Sequence, residues 1–125
     1  MREIKFRAWL KEHKTKVNVA EIDINHQLIY HYGFDDFEGN FENFNSIELL
    51  QYTGLKDKNE NEIYEGDILF ESFGERYYKV IFENGSFRAE FKGDFDEYSF
   101  DLMDVVAHRC EVVGNIYENS KLIKE

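Results

Sequence analysis

The stretch Tyr77-Tyr78-Lys79-Val80-Ile81-Phe82-Glu83-Asn84-Gly85-Ser86-Phe87-Arg88-Ala89-Glu90-Phe91 constrains this chain more than any other. Asn84-Gly85 stands between two alternating runs, and both residues tolerate the positive φ that a type I′ turn requires. A two-residue loop also fixes the register, so Glu83 opposes Ser86, Phe82 opposes Phe87, Val80 opposes Ala89 and Tyr78 opposes Phe91. The apolar pairs share one face. On the other face Lys79 meets Glu90, an attractive cross-strand pair. A chain built around this hairpin is committed to antiparallel sheet.

The remaining segments extend that reading. In residues 4–10 Ile4, Phe6, Ala8 and Leu10 alternate with Lys5, Arg7 and Trp9, the pattern of a half-buried strand. Val17, Val19 and then Ile22 or Ile24 alternate again, and residues 26–32 complete an antiparallel meander. Phe34, Phe37, Phe41 and Phe44 recur at helical spacing and predict a core-facing stripe. Gly39, Asn40 and Asn43 keep any such helix short or broken. Residues 46–54 read as a short helix or a strand, 110–119 as a closing strand, and 120–125 as a short turn or helix capped by Ser120 or Asn119. The fold class predicted is mainly β with minor α. No linker interrupts residues 1–125, so they are expected to form one compact domain, with an N-terminal β subregion at 1–52 and a second subregion at 53–125.

Composition limits the partners. At 125 residues, 42% of them hydrophobic, the chain can bury a real core, and 17% aromatic residues favour strands and contact surfaces. The net charge is −11, yet residues 1–16 carry +4, leaving −15 to residues 17–125. Such a surface repels nucleic-acid phosphates and attracts basic partners. Cys110 is the single cysteine, so no internal disulfide forms. No apolar run reaches the ~18–20 residues of a membrane span, and the N-terminus lacks the apolar core of a signal peptide. A soluble protein of the bacterial cytoplasm, without membrane contact, is the expectation.

Residues 51–70, Gln51-Tyr52-Thr53-Gly54-Leu55-Lys56-Asp57-Lys58-Asn59-Glu60-Asn61-Glu62-Ile63-Tyr64-Glu65-Gly66-Asp67-Ile68-Leu69-Phe70, are rich in oxygen ligands. Counted from Asp57 as a calcium loop, Asn59 and Asn61 fit, but Glu62 sits where glycine is needed and Ile68 where the bidentate Glu belongs. Turn chemistry explains more: Asp57 to Asn61 make a polar reversal, Gly54 and Gly66 supply positive φ, and Asp67 accepts from exposed backbone amides. His108 and Cys110 would share a strand face without a second ligand pair, and His26 and His31 would point to opposite faces. The serines occupy no nucleophile elbow, and no phosphate-binding glycine loop is present. The chain is therefore read as not an enzyme, with no catalytic, cofactor-binding or metal-ligating residues and no cofactor. A nucleic-acid surface would have to use Lys5, Arg7 and Trp9; Trp9 packed on the sheet is the preferred reading.

Four blocks in order, Ile4-Lys5-Phe6-Arg7-Ala8-Trp9, residues 51–59, Glu62-Ile63-Tyr64-Glu65-Gly66-Asp67-Ile68 and Glu111-Val112-Val113-Gly114-Asn115-Ile116-Tyr117-Glu118-Asn119, resemble the YopX family of small bacteriophage and prophage proteins. The resemblance implies a mainly-β protein whose second half is an SH3-like barrel, and it supplies no catalytic residues. Two departures are local: Glu60 stands where the family often has Gly, and Ser120 where it often has Pro.

The expectation for function is a phage- or prophage-encoded accessory protein that binds an unknown host or phage protein through residues 34–44 and 94–101. An acidic DNA mimic that occupies a host DNA-binding enzyme is the first alternative. A nucleic-acid-binding SH3-like barrel is the second. Strand edges and aromatics also admit a homo-oligomer.

Overall fold

The computed structural model describes residues 3–31, 40–93 and 96–123. It is mainly β, with 59% strand and 10% helix, and its strands are antiparallel throughout. Two compact units divide the chain, Ile4–Gln51 and Tyr52–Glu125, the latter including the first three residues.

In the first unit β1 (Phe6–Leu10) lies between β2 (Thr15–Asp23) and the first half of β5 (Ile47–Lys56). β3 (Leu28–His31) follows β2, and β4 (Asn40–Asn43) follows β3. This is the predicted meander. A bulge between Val19 and Glu21 resolves the choice between Ile22 and Ile24. The extra residue shifts parity, so Val17, Val19 and Ile22 all reach the cluster of Ala8, Leu10, Ile29 and Ile47, while Ile24 is exposed.

Of the two readings for residues 46–54, the strand holds from Ile47 onward, and Ser46 ends the 3₁₀ turn Phe44–Ser46. Two expectations change here. β1 is not half-buried: Trp9 is 8% exposed and Ala8, Trp9 and Leu10 are all buried, as suits a strand paired on both sides. The helical stripe fails where it can be followed, because Phe41 sits in β4 at 60% exposure, its ring tilted against Tyr30, and only Phe44 packs on the core. All four residues of β4 pair with β3 instead of coiling. Phe34 and Phe37 lie outside the described residues.

The second unit contains the end of β5, β6 (Glu62–Tyr64), β7 (Asp67–Glu71), β8 (Arg76–Glu83), β9 (Ser86–Lys92), β10 (Glu97–Asp101), α1 (Asp104–Ala107) and β11 (Cys110–Asn115). Its five-stranded sheet runs β10-β9-β8-β7-β11 and is open, with β10 and β11 as its two edges. The β8–β9 register is the predicted one: Glu83 pairs with Ser86, Phe82 with Phe87, Val80 with Ala89 and Lys79 with Glu90. Asn84 and Gly85 have φ of 54° and 84°, as a type I′ turn requires. Ile63, Leu69, Tyr78, Val80, Ala89, Leu102, Ala107 and Cys110 form the core. Phe82, at the hairpin tip, is exposed. The one-turn helix α1 has no counterpart in the sequence reading; it brings Ala107 into the core.

Candidate functional site

The oxygen-rich loop is a structural clasp. Asp57 is fully buried, and its Oδ1 accepts hydrogen bonds from the amides of Asn59 and Asn61, both 2.8 Å. Its Oδ2 accepts from the amide of Val112, also 2.8 Å and 55 residues away in sequence. Beside this contact the Lys58 amide donates to the Cys110 carbonyl. Asp57 and Lys58 therefore occupy the outer side of β11, an edge strand whose ladder groups would otherwise be open. Burial alone would raise the carboxyl pKa, but the amides of Val112, Asn61 and Asn59 outweigh it and hold Asp57 below its ordinary value. A carboxylate with its lone pairs committed to three amides is a poor calcium ligand.

The other motif residues are used in the same way. Gly54 and Gly66 have φ of 88° and 89°; Gly54 falls where the β5–β6 register shifts. Thr53 Oγ1 donates to the Ile63 carbonyl and accepts from the Leu55 amide, closing that bulge. Buried Asp67 accepts from the Tyr64 amide, as predicted. Asn115, also buried, accepts from the amides of Tyr117 and Glu118. Its own amide donates to Asn119 Oδ1. A Cβ at Gly114 would collide with that Asn119 side chain, so glycine is required there by close approach. The Asn119 side chain serves β11 in this way, while its carbonyl accepts from the Leu122 amide at the start of the 3₁₀ turn Ser120–Ile123.

The histidines and the cysteine are placed differently from the sequence expectation. His108 is exposed at the end of α1, and Cys110 is buried at the start of β11, so they do not share a strand face. Burial, followed by the nearby Glu71 carboxylate, pushes the Cys110 thiol up to about 11. His26 lies in the β2–β3 turn against Asp23, not on a strand with His31. His31 is buried at the end of β3; neither ring nitrogen has a hydrogen-bond partner among the described residues, and Glu42 Oε2 at 3.9 Å is too far to supply one. Among the described residues, no three His, Cys, Asp or Glu side chains converge on a common point.

A groove of about 300 Å³ lies on the second unit. Strand alternation puts Tyr77 and Lys79 on the face opposite the core residues Tyr78 and Val80, and Glu90 and Lys92 lie beside them on β9. Leu122 and Ile123 of the C-terminal 3₁₀ turn form the apolar side. At one end stands Arg76, its guanidinium carbon 5.0 Å from the Phe91 ring centre and 5.9 Å from that of Tyr98. Arg76 also donates to the Tyr98 hydroxyl. Behind it the rings of Tyr78, Phe91, Tyr98 and Phe100 pack against one another. Burial, and then the neighbouring Tyr98 hydroxyl, raise the pKa of the Tyr78 phenol, whose proton goes to Glu71.

The expected contact regions are only partly covered. Residues 34–39 and 94–95 lie outside the described residues. Asn40–Asn43 is β4 of the first unit, and Tyr98 belongs to the aromatic group beside Arg76. The groove itself escaped sequence reasoning, because its residues come from β8, β9 and the C-terminal turn. The hairpin register places Lys79 beside Glu90, but nothing in the sequence positions Leu122 and Ile123.

Comparison with known proteins agrees with this arrangement. The family model described as YopX protein matches residues 5–124. No curated protein matches the chain. Among solved structures, the crystal structure of protein EF1440 from Enterococcus faecalis is similar at 28% identity and a TM-score of 0.59, covering 99% of this chain and 100% of that one. No helix among the described residues is long and apolar enough to cross a membrane. With the family match spanning nearly the whole chain, and the motif residues found at the turns their chemistry serves, this chain belongs to the YopX family.

Proposed function

We propose that this protein is a non-catalytic binding module, a phage- or prophage-borne accessory protein that docks another protein in the groove between β8, β9 and the C-terminal turn. One observation carries the reading: the distinctive polar residues are spent on turns, whereas Arg76, Tyr77, Phe91, Leu122 and Ile123 stand around an open groove. Aromatic and Arg side chains are the residue types that anchor protein interfaces. The five-stranded sheet is read as an open SH3-like arrangement that presents this groove.

The DNA-mimic alternative needs ordered, unneutralised carboxylates. Among the described residues Asp57 and Asp67 are buried, and Glu48, Glu90, Glu97, Asp101 and Glu111 each lie beside a cation. Direct nucleic-acid binding would use Trp9, whose indole is buried.

The test compares bacterial lysate proteins retained by the immobilised chain with those retained by the double substitution Leu122→Asp and Ile123→Asp. Proteins held by the native chain and lost from the variant are expected. Identical profiles, or none above background, would contradict the proposal.

A further inference from the structure

The pair that fixes the β8–β9 hairpin is also the place where this chain is most open to chemical change. Asn84 alone among the asparagines is followed by glycine. The amide nitrogen of the next residue is the nucleophile nearest to an asparagine side chain, and a side chain on that residue hinders its approach. Glycine has none and turns freely. Several other asparagines are also held in place. Asn18 accepts from Arg7, Asn115 donates to Glu118, and Asn119 accepts from the Asn115 amide. Asn84 and Gly85 are exposed, and neither the Asn84 side chain nor the Gly85 amide has a hydrogen-bond partner among the described residues. A Cβ placed on Gly85 would meet nothing within 4 Å, so the space around the turn is open. Glu83 and Ser86 form the last rung of the ladder, and Phe82 beside them is already 52% exposed. The tip therefore opens locally, without disturbing the core residues Val80 and Ala89.

We propose that Asn84 is a site of spontaneous covalent modification, at which the chain alters its own hairpin turn with water as the co-reactant. When the tip opens, the Gly85 amide nitrogen gives its proton to solvent and attacks Asn84 Cγ. The Cγ–Nδ2 bond breaks, ammonia leaves, and a five-membered imide closes. Water then opens the ring at either carbonyl. Attack at the side-chain carbonyl gives aspartate, whereas attack at the main-chain carbonyl routes the chain through Cβ and gives isoaspartate. The residue exchanges ammonia for water, and nothing is oxidised or reduced.

The two products differ in their effect on the fold. Aspartate tolerates the left-handed φ of 54° that Asn84 adopts, so the turn survives. Isoaspartate adds an atom to the backbone between Glu83 and Ser86. A two-residue type I′ turn then no longer closes, and the register is released at Phe82 and Phe87, whose rings pack 5.0 Å apart. Either product places a new carboxylate next to Glu83, on a chain whose net charge is already −11.

The test holds the folded full chain in mildly alkaline buffer at physiological temperature, beside Asn84→Gly, which keeps residues suited to the turn and lacks the reacting side chain. Peptide mapping by mass spectrometry follows every asparagine, and enzymatic methylation reports isoaspartate. The peptide containing Asn84 is expected to gain one mass unit before any other asparagine does, and to accept methyl groups. The corresponding peptide of Asn84→Gly should do neither. In the purified isoaspartate form, the nuclear Overhauser contact between the Phe82 and Phe87 rings should be lost, while the aspartate form keeps it. An intact Asn84, earlier conversion at another asparagine, or an isoaspartate form that keeps the Phe82–Phe87 contact would overturn the inference.

Discussion

The two units of this chain bury polar groups in opposite ways. In the first, which has a modest cluster of Ala8, Leu10, Ile29 and Ile47, His31 is buried with both ring nitrogens unpartnered among the described residues. In the second, Asp57, Asp67 and Asn115 are equally buried, and each is bonded to backbone amides. The first unit is specified by alternation of apolar side chains along short hairpins. In the second, individual side chains reach across turns to fix backbone that has no ladder partner. A motif arises where one residue type alone can make such a bond. Three of the four blocks that mark the family accordingly fall in or enter the second unit.

The contrast can be broken most severely at Asp57. Asp57→Ala removes the acceptor of three amides and opens the edge of β11, which should cost about 3 kcal/mol or more. In a chain of this size, that lowers the midpoint of thermal unfolding by roughly 10 °C. The same carboxylate gives stability a pH dependence. Its folded pKa is depressed, so its contribution is complete above about pH 4 and is lost as the pH falls through the folded value. Asp57→Asn should flatten the acid limb of a denaturation-against-pH curve; an unchanged limb would assign that dependence elsewhere.

His31 offers the reverse experiment. Replacing it with Leu removes two orphaned polar atoms at similar volume and should stabilise the chain by about 1 kcal/mol, read from urea midpoints. A destabilised His31→Leu would show that the imidazole has a partner that alternation alone does not reveal. The smallest expected effect is at Glu60, which adopts φ of 67° in the Asp57 loop. Left-handed backbone is costly for a side chain and free for glycine, so Glu60→Gly should raise stability by about 0.5–1 kcal/mol after the added unfolded-state entropy. The family's frequent Gly at this position thereby acquires a backbone reason. Glu60→Ala, which keeps a Cβ, should give none of that gain.

Much of the fold was legible because its signals are local. Asn84-Gly85 dictated the β8–β9 register, and the meander followed from alternation in residues 4–32. Alternation set Trp9 on the face of Lys5 and Arg7, and the preference for packing it on the sheet agrees with its burial. The Phe41 spacing imitated a helix, since three- and four-residue intervals also arise by chance in aromatic-rich turns. Asp57 was recognised as a turn residue, but its bond to Val112 spans 55 positions and leaves no local trace. The groove was least legible, because strands β8 and β9 meet Leu122 and Ile123 only in the folded chain.

The clasp at Asp57 is tested most directly by amide hydrogen exchange, comparing the native chain with Asp57→Ala under conditions where both remain folded. The account predicts that the Val112, Asn59 and Asn61 amides lose protection together, while Val80 and Ala89 within the sheet keep theirs. Undiminished protection at Val112 would contradict it, because the β11 edge would then be held without the Asp57 carboxylate.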